Sequence, residues 1–143
     1  MYENYSRQAL PSREYRELLG SALCVFNSNN AFIIENILRN DEKAKYNWYD
    51  LIDRTSGRLK EPLKETITNN SNQEISLLFS NLIEMRNRIV HSFQITDKDG
   101  EQRLATKNKD TSHTQFIITE DYLLTFIKSN ETLSSLLHNF RGF

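Results

Sequence analysis

One cysteine, two prolines, four glycines and one tryptophan in 143 residues leave too little material for a disulfide scaffold, a collagenous chain or a low-complexity tail. A lone thiol forms no internal bridge, and the neighbours of Cys24 (Ala22, Leu23, Val25 and Phe26) predict a small buried hydrophobe there rather than a nucleophile. An excess of charge of one sign is also missing: 18 Lys+Arg against 19 Asp+Glu give a net charge of −1. No global field therefore draws this chain to nucleic acid or to an anionic membrane, and any such contact has to be local. No apolar run has the length of a signal-peptide core or a membrane span, which predicts a cytoplasmic protein with no membrane partner. A glycine-rich phosphate loop, CxxC pairs and a His-Glu-x-x-His motif are all absent, and three histidines are few for a multi-histidine metal centre, so neither a metal nor another cofactor is expected.

What the chain does have is helical periodicity. With 38% hydrophobic and 26% charged residues it reads as one soluble domain spanning 1–143. Tyr15, Leu18, Leu19, Ala22, Phe26, Ile33 and Ile37 recur at three- and four-residue steps after Pro11-Ser12, with Ser12 placed to cap the start. Asn27-Ser28-Asn29-Asn30 resembles a loop in composition, but the apolar phase is the same on both sides of it. The pattern predicts one helix running to about Asn40, with Asn29 in a polar notch on its apolar face.

A shorter helix follows around Tyr46 to Ile52, a break at Ser56-Gly57, and a resumption through Leu59, Leu63 and Ile67. Ser71-Asn72-Gln73-Glu74 reads as a capping box opening a strong helix, whose apolar period runs from Ile75 to Phe93. Past Ile95 a turn at Asp97-Lys98-Asp99-Gly100 predicts a small hairpin between about Gln94 and Ala105. Thr114 to Ile118 is β-prone, and Thr119 with Glu120 and Asp121 opens a closing helix to about Phe140. The expected class is all-α: an antiparallel helical bundle with a small hairpin excursion between the last two long helices.

Among the histidines, His113 in a polar stretch and His138 beside Asn139 read as surface residues. His91 lies in Met85-Arg86-Asn87-Arg88-Ile89-Val90-His91-Ser92-Phe93. At about 100° per residue Asn87 and His91 fall some 40° apart on one helix face, while Arg86 lands near the centre of the stripe of Ile75, Phe79 and Leu82. A guanidinium sent into an apolar seam must find an anion or several acceptors. One reading is structural, with Arg86 snorkelling or pairing with a polar group of the first helix such as Asn29 or Glu35. The other makes Arg86 a phosphate ligand at a helix–helix seam. Arg88, about 200° from Arg86, is positioned to pair with Glu84 instead.

Arg86-Asn87-x-x-x-His91 resembles the Arg-x(4–6)-His motif of the HEPN superfamily, small helical domains found in toxin–antitoxin, phage-defence and CRISPR-associated ribonucleases. Leu18-Leu19-Gly20-Ser21-Ala22-Leu23-Cys24-Val25-Phe26 resembles the first helix of that family, and within it the chain looks most similar to an uncharacterised branch carried on plasmids and mobile elements. The resemblance implies a metal-independent endoribonuclease, a toxin or phage-defence effector acting on RNA as a homodimer, with Arg86, Asn87 and His91 as catalytic residues and an antitoxin protein as a further partner. Where related toxins carry His-x-Tyr with a modified tyrosine, this chain has Phe93, which argues against inactivation by that route. The alternative is a HEPN fold that does not cleave, serving as a nucleotide- or RNA-binding or regulatory module.

Overall fold

A computed structural model describes residues 3–142 of the chain. A short turn of helix, α1 (Glu3–Ser6), precedes the long α2 (Arg13–Arg39). Ser12 caps α2, its hydroxyl accepting the Tyr15 N–H at 3.2 Å. The helix runs unbroken through the Asn27–Asn30 stretch, and the notch has a structural purpose. Asn29 is buried and donates from Nδ2 to the Asn130 carbonyl (2.8 Å) and to its Oδ1 (3.0 Å), a polar link between two helices inside an apolar interface. Cys24, by contrast, is exposed. It lies two residues from both Ala22 and Phe26, about 200° from each around the helix, so helical phase turns it outward whatever its neighbours are.

Between the long helices come α3 (Trp48–Asp53), a 3₁₀ turn (Ser56–Leu59), α4 (Lys60–Leu63) and a π turn (Lys64–Thr68). The Ser56-Gly57 break is the start of the 3₁₀ turn, where buried Ser56 donates to Asn30 Oδ1 at 2.8 Å. The next long helix, α5, spans Glu74–Val90. The expected capping box does not form. Ser71 reaches back to the Ile67 carbonyl (2.7 Å), and Asn72 Oδ1 accepts the Glu74 N–H (2.8 Å), because the chain is still leaving the π turn at Ser71. The last long helix, α6 (Glu120–Arg141), is capped by Thr119, whose hydroxyl accepts the Tyr122 N–H at 3.1 Å. Gly142, at φ +92°, closes it by donating to the His138 carbonyl, a left-handed position that glycine occupies without steric cost.

The fold is not all-α. Strands β1 (Phe93–Thr96), β2 (Gln102–Lys107) and β3 (Gln115–Ile118) form a three-stranded antiparallel sheet in the order β1-β2-β3. The hairpin turn is present, with Asp97 Oδ1 accepting from the Asp99 and Glu101 amides. What turns the hairpin into a sheet is β3, which pairs Leu104 with Ile118 and Thr106 with Phe116. Leu104 and Ile118 thereby join the hydrophobic core on one face of the sheet. The intervening loop is closed by Asn108 N–H on the Thr114 carbonyl at 2.8 Å.

Nor is the bundle simply antiparallel. The Tyr15 hydroxyl donates to the Ile118 carbonyl, Asn29 meets Asn130 and Arg141 meets Glu35, at sequence separations of 103, 101 and 106. A nearly constant separation means that α2 and α6 run in the same direction. The long crossover needed to bring the chain back to its starting end is supplied by α3 to α5 and the sheet. Helix α5 runs against both: Tyr122 of α6 reaches the Met85 carbonyl, while Phe79 and Phe126 both stack against Phe26 with ring centres 6.1 and 5.9 Å away. That aromatic stack is the centre of the core.

Candidate functional site

Arg86 sits on α5 above this stack, its guanidinium carbon 5.1 Å from the Phe26 ring centre. The half-buried guanidinium is paired with no carboxylate among the described residues, and its buried Nε has no hydrogen-bond partner. The partners considered for it on α2 are engaged elsewhere: Asn29 with Asn130, and Glu35 with Arg141 at 2.6 Å. Burial pulls the Arg86 pKa below the ordinary arginine value, a shift that marks desolvation left uncompensated by a neighbouring anion. Stacking on Phe26 returns about 0.5–2 kcal/mol of that cost, and the unsatisfied donor costs about 1–3 kcal/mol.

Asn87, half-buried, follows Arg86, and its side chain has no hydrogen-bond partner among the described residues. His91 is not on the helix. Its N–H makes the last helical bond, to the Asn87 carbonyl at 2.9 Å, and its own φ of −95° and ψ of 47° turn the chain out of α5. The imidazole is therefore an exposed side chain at the helix end, and Asn87 and His91 are neighbours through that terminal bond rather than members of one regular face.

Strand β2 holds this helix end. Thr106, fully buried, donates from its hydroxyl to the His91 carbonyl at 3.2 Å, and Arg88 donates from Nη1 to the Lys107 carbonyl at 2.9 Å. On the other side of Arg86, Tyr122 donates to the Met85 carbonyl at 3.3 Å, and burial pushes its pKa up to about 12. The hydroxyl thus stays protonated, and a donor, throughout the physiological range. The motif is bracketed at Met85 by α6 and at His91 by β2.

Arg88 pairs with Glu84 as expected, Nε to Oε1 at 3.2 Å. The same carboxylate also lies 3.9 Å from Lys109 Nζ. Arg88, Lys107 and Lys109 therefore gather beside the motif with Glu84 as the carboxylate that pairs with two of them, a local positive patch on a chain of net charge −1. Lys107 and Lys109 had no mark in the sequence, because only the pairing of β2 and the loop after it bring them to α5. An uncompensated guanidinium, an amide, an exposed imidazole and flanking cations can bind a phosphodiester and move protons around it.

The remaining histidines are exposed, His113 at a positive φ of 56° and His138 against Phe32. No helix among the described residues is long and apolar enough to cross a membrane. No family model, curated protein or solved structure matches the chain.

Proposed function

We propose that the protein is an endoribonuclease of the HEPN type that cuts single-stranded RNA without a metal ion, as a toxin or phage-defence effector. The observation that carries this reading is Arg86: a half-buried guanidinium with an unpartnered Nε and no carboxylate of its own is a site lacking only its anion. A fold retains such a group at a cost to stability when the anion arrives with a substrate. In this reading Arg86 takes the scissile phosphate and stabilises the charge that builds on it, Asn87 orients the phosphate or the imidazole, and His91 acts as general base or acid. Attack of the ribose 2′-hydroxyl on phosphorus expels the 5′-oxygen, which takes up a proton. The products are a 2′,3′-cyclic phosphate and a 5′-hydroxyl.

The rival reading, a HEPN module that binds RNA or nucleotide without cutting, has one observation in its favour: no described residue hydrogen-bonds the His91 imidazole to fix its tautomer. The nuclease reading answers this with a homodimer in which both copies of the motif line one cleft, so that one imidazole serves as base and the other as acid. Val90 and Phe93, 53% and 45% exposed on either side of His91, are the apolar contacts such an interface would use.

The test is incubation of purified protein with single-stranded RNA in EDTA, followed by end-group analysis. Cyclic phosphate and 5′-hydroxyl ends are expected. A requirement for magnesium, or 5′-phosphate ends, overturns the mechanism, and binding without cleavage promotes the rival.

Thr106 gives a second expectation. Thr106→Val removes the hydroxyl that pins the His91 carbonyl while preserving shape, and should lower the turnover number about tenfold with KM little changed, the equivalent of about 1.4 kcal/mol. Thr106→Ser should restore most of it. Equal losses in both variants would mean that Thr106 acts through packing alone.

A further inference from the structure

A second site lies on a different face of α2 from the one that meets Arg86. Phe26 and Phe32 are six residues apart, hence about 120° apart around the helix, and the face carrying Phe32 borders a groove of about 390 Å³ between α2, α6 and the start of α3. Phe32, Trp48 and His138 supply its ring surfaces, and Asn29, Glu35 and Ser134 its polar groups. The rings are held in place before any ligand arrives. His138 lies against Phe32 with ring centres 4.7 Å apart, and Arg141, tied to Glu35, covers Phe32 with its guanidinium at 5.7 Å. Trp48 opens α3 behind an Asn47 cap that accepts the Asp50 N–H at 2.9 Å, and it remains 40% exposed.

Asn29 decides what the groove can recognise. Asn130 donates its own Nδ2 to the Phe126 carbonyl, which turns its Oδ1 towards Asn29. Asn29 thus faces two acceptors, the carbonyl and the Oδ1 of Asn130, and only its Nδ2 can meet them. Its Oδ1 is left on the other side, where Asn29 lines the groove, and accepts no hydrogen bond from the described residues. Asn29 is 6% exposed, so this is an acceptor fixed at the floor of a ring-lined groove. At the rim the Glu35 carboxylate is neutralised by its ion pair with Arg141.

From this geometry we infer that the groove binds a nucleobase bearing an exocyclic amine, stacked on the Trp48 and His138 rings with its amine donating to Asn29 Oδ1. An acceptor at the exocyclic position meets an amine in adenine and cytosine but a carbonyl oxygen in uracil, which favours the first two. The base arrives either as a free nucleoside or within an RNA strand. The inference is independent of cleavage at Arg86.

Trp48 is the only tryptophan in the chain, so its fluorescence reads the site directly. The experiment titrates adenosine, uridine, and short oligoadenylate and oligouridylate RNAs into His91→Ala protein, which keeps the RNAs intact, and into the same protein carrying His138→Ala. Expected is saturable quenching by adenosine or oligoadenylate at least about tenfold tighter than by the uridine counterpart, weakened about fivefold or more by His138→Ala, as loss of one stacking partner implies. Saturation by adenosine identifies a nucleoside site, and saturation by oligoadenylate alone identifies a subsite for a strand. Quenching that rises linearly with every ligand, fails to distinguish adenine from uracil, or ignores His138→Ala overturns the inference. Because nothing in this readout depends on cleavage, an inactive nuclease and an empty groove give different results.

Discussion

Replacing Arg86 by methionine is expected to remove most of the cleavage activity without destabilising the protein. The two side chains are similar in length, and methionine can keep contact with Phe26 while removing a desolvated charge that no carboxylate compensates. Exchanging an uncompensated buried charge for an apolar group is commonly neutral or stabilising, and here stability should be unchanged or higher by about 1 kcal/mol. Activity should fall by about two to three powers of ten, the loss typical of a donor that stabilises transition-state charge. His91→Ala, at an exposed helix end, should cost about two to four powers of ten in rate with no shift in melting. Thermal unfolding and initial cleavage rates on the same preparations check both. If Arg86→Met unfolds the protein while His91→Ala stays active, Arg86 is a structural residue and the phosphate reading fails.

The second large effect concerns the dimer. One imidazole at one helix end cannot both take the proton from the 2′-hydroxyl and deliver one to the 5′-oxygen on the opposite side of phosphorus. In the proposed homodimer a second copy of His91, related by a two-fold axis, would supply the missing group, and a second patch of Arg88, Lys107 and Lys109 would double the local positive potential. Phe93 pairs with Ala105 and Ala105 with Ile117 across the sheet, which makes an apolar row with Phe93 and Ile117 partly exposed at its ends. A charge placed at Phe93 should therefore separate the protomers, and Phe93→Glu is expected to be monomeric in sedimentation and to lose at least a hundredfold in specific activity. A monomer that keeps full activity rules out the shared cleft.

Much of the architecture could be read from phase and capping. The unbroken α2 follows from an apolar phase that survives four polar residues, and its start and that of α6 from Ser12 and Thr119, whose hydroxyls do cap. The oddity of Arg86 was equally legible, since a cation in the middle of an apolar stripe shows in helical projection. Elements that depend on long-range pairing were not. The β-prone stretch Thr114 to Ile118 does form β3, at Gln115–Ile118, but its pairing with Leu104 and Thr106 was not legible, so the all-α expectation missed the sheet. The parallel course of α2 and α6 rests on contacts more than 100 residues apart in sequence. The apolar period continues past His91 to Phe93 and so predicts a helical His91, yet β2 captures its carbonyl and α5 ends at Val90. The apolar neighbours of Cys24 suggest burial, but its helical phase leaves it exposed. The site residues Arg86 and Asn87 lie on α5 as read, whereas the cations Lys107 and Lys109 became visible only with the sheet.

Arg86 is the proposed seat of an RNA phosphate, and nuclear magnetic resonance of its side chain tests that most directly. The Nε–H of Arg86, assigned by its disappearance in Arg86→Met, is followed while a single-stranded RNA with 2′-O-methyl groups, which has no nucleophile and cannot be cut, is titrated in. A saturable shift of that resonance, with slowed exchange of its proton against solvent as the unpartnered donor acquires a phosphate oxygen, is the predicted result. An Arg86 resonance that stays unchanged while the RNA binds elsewhere, or RNA that does not bind at all, contradicts it.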